Sequence, residues 1–240
     1  IYNLPFLFRS EDEFETIREL VDPPLTEALA KKNLVLAGTI NAGFVYLFSL
    51  HPASTAEELA QKGRVWIPQG DLISQKTLEA AGISAVPLPI SEVYTSLQTG
   101  LVDTVITTPA AGIALQWHSR VRYMIDMPLA LGAGGMVYDK RSMKKLSDED
   151  RATVMRITSE AMQRMGDATR LENENARKAL TDAGVEVIQA ADGNRTYWED
   201  LAQRVRHGLI SEKELTLPTL PMVEERLNQL RTQTAENAAH

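Results

Sequence analysis

The chain has 240 residues, 44% hydrophobic and 24% charged, and a formal net charge of −7 from 25 Lys and Arg against 32 Asp and Glu. That length accommodates one large or two small domains with an ample core, and the acidic balance gives no electrostatic footprint for nucleic acid or an anionic membrane. No apolar run approaches the roughly 20 residues of a membrane helix. The absence of cysteine removes disulfides, thiolate metal sites and a thiol nucleophile, and fits an oxidising compartment.

The opening residues, IYNLPFLFRS, lack the basic start, continuous apolar stretch and cleavage site of a signal peptide; without an initiating Met the chain reads as processed or as a fragment. Residues 10–32 predict a helix broken near Pro23 and Pro24, because proline blocks helix propagation. Residues 34–37 and 44–48 read as two strands. Cap-like Ser54 and Thr55 before Glu57 and Glu58 start a short helix. Residues 65–67 form a strand stopped by Pro68. Residues 72–81 form a helix closed by Gly82, and 85–88 another strand. Residues 91–99 are helical, 102–107 a strand, 109–117 a helix and 121–125 a strand. Strands alternating with helices of about ten residues predict parallel β-α-β units in an α/β fold, whose ligands bind beyond the carboxyl ends of the strands.

The second half differs. A capping-box-like start at Ser147 leads into a helix of roughly 36 residues, about 54 Å at 1.5 Å per residue, with Val154, Ile157, Ala161, Met165 and Ala168 as its apolar face. A helix that long can brace two domains. A strand over 185–188 and helices near 196–207 and 222–234 complete the chain.

A search for chemistry returns little. There is no GxSxG elbow and no GxxxxGK phosphate loop, and Gly132, Gly134 and Gly135 begin only a weak approximation to GxGxxG. The histidines, His51, His118, His207 and His240, lack metal-ligand spacing, so neither metal nor cofactor is expected. Asp103 reads as a strand-start residue bonding local backbone. An α/β chain of this kind without a catalytic constellation suits a hinge-closing binder rather than an enzyme.

Four stretches in one order carry a resemblance: Leu4-Pro-Phe-Leu-Phe8, Gly63-Arg-Val-Trp-Ile-Pro68, the run 87–103 containing SEVYTSLQTGLVD, and the long helix from Ser147. Together the chain resembles the periplasmic solute-binding proteins of tripartite ATP-independent periplasmic (TRAP) transporters, of the dicarboxylate-binding type. The resemblance implies a two-lobed α/β fold with hinge strands and a long helix bracing both lobes. Residues 1–43 with 136–170 would form lobe I, short of its N-terminal part, 44–135 with 171–212 lobe II, and 213–240 a C-terminal helix packing on the lobes. Residues 43–49 and 135–139 would cross between lobes. It implies a periplasmic protein, monomer or dimer and not membrane-embedded, that binds a small organic solute, an organic acid, and delivers it to a small and a large membrane subunit. A sensor of the same fold without transport is the alternative, and an α/β enzyme a remote one.

The resemblance also exposes departures. The family's ligand-binding arginine, whose fork grips a carboxylate, is replaced at the matching position by Trp66, which offers one N–H and a flat face. The family's acid-Asn-Pro run is replaced by Thr107, Thr108 and Pro109. Arg120 and Arg122, read as one face of the strand over 121–125, are the nearest cationic substitutes in sequence. Gln69 and Asp71 stand at a helix entry where backbone N–H groups meet ligands, with helix capping the other role open to Asp71. Phe44 and Tyr46 are candidates for an aromatic wall. The candidate site is therefore Trp66, Thr107, Thr108, Gln69, Tyr46, Phe44, Arg120 and Arg122.

Overall fold

The computed structural model describes residues 1–238. In chain order the elements are α1 (Glu11–Lys31), β1 (Leu34–Ser49), α2 (Ala56–Lys62), β2 (Arg64–Pro68), α3 (Leu72–Ala80), β3 (Ser84–Leu88), α4 (Val93–Thr99), β4 (Thr104–Thr107), α5 (Pro109–Ala114), β5 (Tyr123–Asp139), α6 (Lys140–Met143), α7 (Asp148–Asp182), β6 (Glu186–Gln189), α8 (Asn194–Ser211) and α9 (Leu220–Ala238). Short 3₁₀ turns at Ile90–Glu92 and Trp117–Ser119 flank α4 and follow α5. The strands form one sheet in the order β3-β2-β4-β1-β5-β6. Residues 239 and 240, and with them His240 and the end of the expected C-terminal segment, lie outside the described residues.

The sheet is mixed rather than wholly parallel. Strands β2/β3, β2/β4 and β5/β6 pair in parallel, but β1 runs antiparallel to both β4 and β5. Its long antiparallel ribbon is the main surprise. The two strands expected over 34–37 and 44–48 are one strand of 16 residues, and the strand expected to end at 125 runs from Tyr123 to Asp139. These pair from Leu34 opposite Asp139 to Ser49 opposite Tyr123, with register shifts at Leu36/Gly38, Asn41/Gly43 and Val45/Leu47. Glycines and polar residues such as Thr39 and Asn41 hide strand periodicity, yet the ladder hydrogen bonds do not need side chains to form.

One irregularity is fastened from three sides. Gly43 has φ +86, and a Cβ there would lie 2.4 Å from the Asn173 amide nitrogen on α7. Asn173 donates to Ala42 O at 3.0 Å and accepts from Ala110 N in α5 at 3.1 Å. Asn41 Oδ1 accepts from Gly43 N at 2.8 Å.

Helix α1 continues through Pro23 and Pro24. A proline removes its own N–H bond, but its neighbours keep theirs, and Phe14, Ile17 and Val21 anchor the buried face before the break could matter. Helix α7 has the expected length, 35 residues or about 52 Å, and Ser147 caps it by accepting from Asp150 N at 3.0 Å. Its buried face is not the stripe read from periodicity. Met162, Ala176 and Leu180 are buried, whereas Ile157 and Met165 are about half exposed at 50% and 54%. Gly38 explains the choice, since a Cβ there would come within 3.1 Å of the Met162 side chain; the helix settles where the strand is bare.

Candidate ligand site

Strand alternation divides β1, β2 and β4 between two layers. Trp66 and Phe48 join Val93, Leu97, Val105, Trp117 and Leu180 in one apolar cluster. Val65, Ile67 and Leu47 join Leu78, Met127, Trp198 and Leu201 in another. The first layer is filled. The second holds a cavity of about 250 Å³ whose floor is Val45, Leu47, Ile67 and Ile106. Asn3, Pro5 and Phe6 wall it on the N-terminal side, Leu129–Gly132 of β5 beside them, and Asp71, Ser74, Thr77 and Leu78 of α3 opposite.

The wall at Phe6 is built deliberately. Phe6 has φ +55, uncommon for a residue with a side chain, and its N–H donates to Leu129 O at 2.6 Å. Its ring lies parallel to Trp198 of α8, centroids 5.8 Å apart at 10°. Arg9 then ties this segment to α8 through Glu199, at 2.7 Å. Burial pushes the Glu199 carboxyl up, but bonds from Arg9 and Arg195 more than offset this and hold it below its ordinary range.

Trp66 borders this cavity, with its ring engaged elsewhere. The indole N–H donates to Leu88 O at 2.9 Å, and the ring meets Trp117 edge-on at 5.1 Å; the residue is 5% exposed. The other sequence-derived candidates do not line the cavity. Thr107 is buried opposite Tyr46 in the β1/β4 ladder. Thr108 caps α5, accepting from Ala111 N at 3.2 Å. Gln69 is exposed in the turn before α3. Phe44 packs on the cluster formed by Leu4, Phe8, Phe14 and Leu131. Tyr46 lies beneath the Arg177 guanidinium, 5.1 Å from its ring centre; burial pushes its hydroxyl pKa up and Arg177 partly offsets this. Arg120 and Arg122 precede β5, so they do not share a strand face as expected. Arg120 donates to Tyr94 Oη at 2.9 Å and holds that hydroxyl below its ordinary pKa. Arg122 is exposed, its backbone bridging Ser49 O and Glu186 N.

Asp103 is 1% exposed. It accepts from Arg64 N at 2.8 Å, Arg64 Nε at 3.1 Å and Thr104 Oγ1 at 3.0 Å, so it joins the start of β4 to β2 rather than serving a site. Asp71 caps α3 by accepting from Ser74 N at 3.1 Å, and it also faces the cavity.

A second, polar cleft of about 330 Å³ lies between α1, β1 and α7. It contains two guanidiniums, both committed: Arg18 to Glu15 at 3.0 Å and Thr39 at 2.5 Å, Arg170 to Glu11 at 2.9 Å. Among the described residues no three His, Asp or Glu side chains converge as metal ligands, and no helix is long and apolar enough to cross a membrane.

The residues missed by sequence reading, Val45, Leu47, Ile67 and Ile106, are the immediate neighbours of those singled out. Alternation alone could have raised them, because every choice of Tyr46, Trp66 and Thr107 leaves the opposite face to the residues between.

Comparison with known proteins bears on the family and the fold. The family model for bacterial extracellular solute-binding protein, family 7, matches residues 1–213. A solute-binding protein of Chromohalobacter salexigens is 26% identical over 195 residues, covering 80% of this chain and 57% of that protein; the chain thus spans a little over half the length of such curated relatives. A TRAP periplasmic solute-binding protein from Ochrobactrum anthropi superposes with a TM-score of 0.83 at 23% identity, over 99% of this chain and 73% of that one. Another from Shewanella oneidensis, with bound succinate, gives 0.84 at 18% identity over 94% and 72%. These likenesses establish a two-lobed α/β binding-protein fold, and by its match over most of its length the chain belongs to the bacterial extracellular solute-binding protein family 7.

Proposed function

We propose that this chain is the extracytoplasmic solute-capturing component of a TRAP transporter, and that the cavity beside Phe6 and Trp198 receives the solute. The observation that carries this reading is the cavity itself: about 250 Å³, apolar-walled, and bounded by segments far apart in sequence, as expected of a site that closes around a small molecule. The family match supports uptake rather than catalysis, and the relative with bound succinate favours a small organic solute. On this reading the protein works in the periplasm and hands its solute to a small and a large membrane subunit. Residues 1–43 with 136–170 and 44–135 with 171–212 would be its two lobes. Trp66 borders the pocket, while Thr107, Thr108, Gln69, Tyr46, Phe44, Arg120 and Arg122 would belong to the frame around it rather than to its wall.

Thermal unfolding of the purified protein across organic acids, amines and neutral metabolites tests the proposal. A ligand that binds only the folded state at 100 times its Kd adds about 2.7 kcal/mol. At least one class should raise the midpoint in a concentration-dependent way; no shift across the panel would contradict solute capture.

A further inference from the structure

The cavity has the wrong charge for a simple carboxylate. Among the described residues Asp71 is the only ionisable side chain in its lining, and no Arg, Lys or His lines it. The polar donors nearby are largely committed. The Trp66 indole N–H is held by Leu88 O at 2.9 Å, and the Thr77 hydroxyl by Ile73 O at 2.8 Å. Asn3 and Ser74 can orient a polar group but bring no charge. Asp71 uses Oδ1 to cap α3, and Oδ2 has no partner among the described residues.

These facts oppose an anion twice. A carboxylate entering a largely apolar cavity needs a compensating cation, and none lines it among the described residues. Asp71 also stands where the positive end of α3 would otherwise help, so a bound carboxylate meets like charge. A protonated amine meets the reverse: a carboxylate oxygen able to accept a charge-assisted hydrogen bond, with aromatic and aliphatic walls for the rest of the molecule.

We propose that this cavity takes a solute with an apolar body and a protonated amine seated on Asp71, and that it discriminates against simple carboxylates. The inference rests on the reading of this cavity as the solute site.

Three probes of similar shape test it by calorimetric titration: 2-phenylethylamine, phenylacetate and 2-phenylethanol. The amine should bind at least about tenfold more tightly than the acid, the worth of one charged hydrogen bond. Asp71→Asn, which keeps an N-cap acceptor, should erase that preference. Asp71→Ser serves as a second capping variant should the first fail to fold. Acid binding equal to or tighter than amine binding would overturn the amine class while leaving solute capture intact. An amine preference unchanged in both variants would overturn the role of Asp71. Binding of none of the three would overturn the reading of the cavity as a solute site as well.

Discussion

The two faces of the sheet around β1, β2 and β4 have similar residues and opposite fates. On one, Phe48, Trp66, Val105 and Trp117 pack into a closed layer; on the other, Val45, Leu47, Ile67 and Ile106 leave a cavity that the N-terminal segment, α3, β5 and α8 enclose. The difference lies in what covers each face. The closed layer is covered by α4 and the end of α7, whose Val93, Leu97 and Leu180 are buried. The open one is roofed by a chain segment held through Phe6 and Trp198, and by α3, whose capping aspartate turns toward the space. A one-residue step along a strand therefore moves a side chain from the closed layer toward the cavity.

Breaking the closed face should have the largest effect. Trp66→Ala removes a buried indole and leaves Leu88 O without its donor, and is expected to cost about 3–5 kcal/mol; urea denaturation measures it, and a loss below about 1 kcal/mol would mean the ring is not packed as described. Asn173→Ala removes two backbone bonds at the Gly43 irregularity and should cost about 1–3 kcal/mol by the same assay, with faster amide exchange at Gly43 and Ala110. Filling the open face should act differently. Val45→Phe adds bulk toward the cavity, so stability should fall by no more than about 1–3 kcal/mol while ligand-dependent stabilisation disappears. The smallest effect concerns the roof. Glu199 titrates below its ordinary range when folded, so its pairing stabilises above the unfolded carboxylate pKa and is lost as pH falls through the folded value. Glu199→Gln should flatten the loss of stability as pH falls through and below the ordinary carboxylate range, and only slightly, since Arg9 is half exposed.

Much of the scaffold was legible in sequence because its signals are local. Ser147 and Thr55 cap their helices as their spacing implied, and Gly100 ends α4 with φ +75. The failures are long-range. Nothing local joins residues 34–37 to 44–48 across Gly38 and Gly43; the partner strand β5 does. The apolar stripe of α7 is legible from its spacing, but which face is buried is not, because Gly38, more than a hundred residues away, decides where the helix lies. The family resemblance drew attention to Trp66 and Thr107, yet a cavity formed by Phe6, Val45, Asp71 and Trp198 depends on contacts that no periodicity records.

The most direct test of solute capture is a crystal structure grown with a solute that stabilises the protein. The account expects that solute between Phe6, Val45 and Trp198, with a polar group toward Asp71. A solute bound instead in the polar cleft of Arg18 and Arg170, with the Phe6 cavity empty, would contradict it.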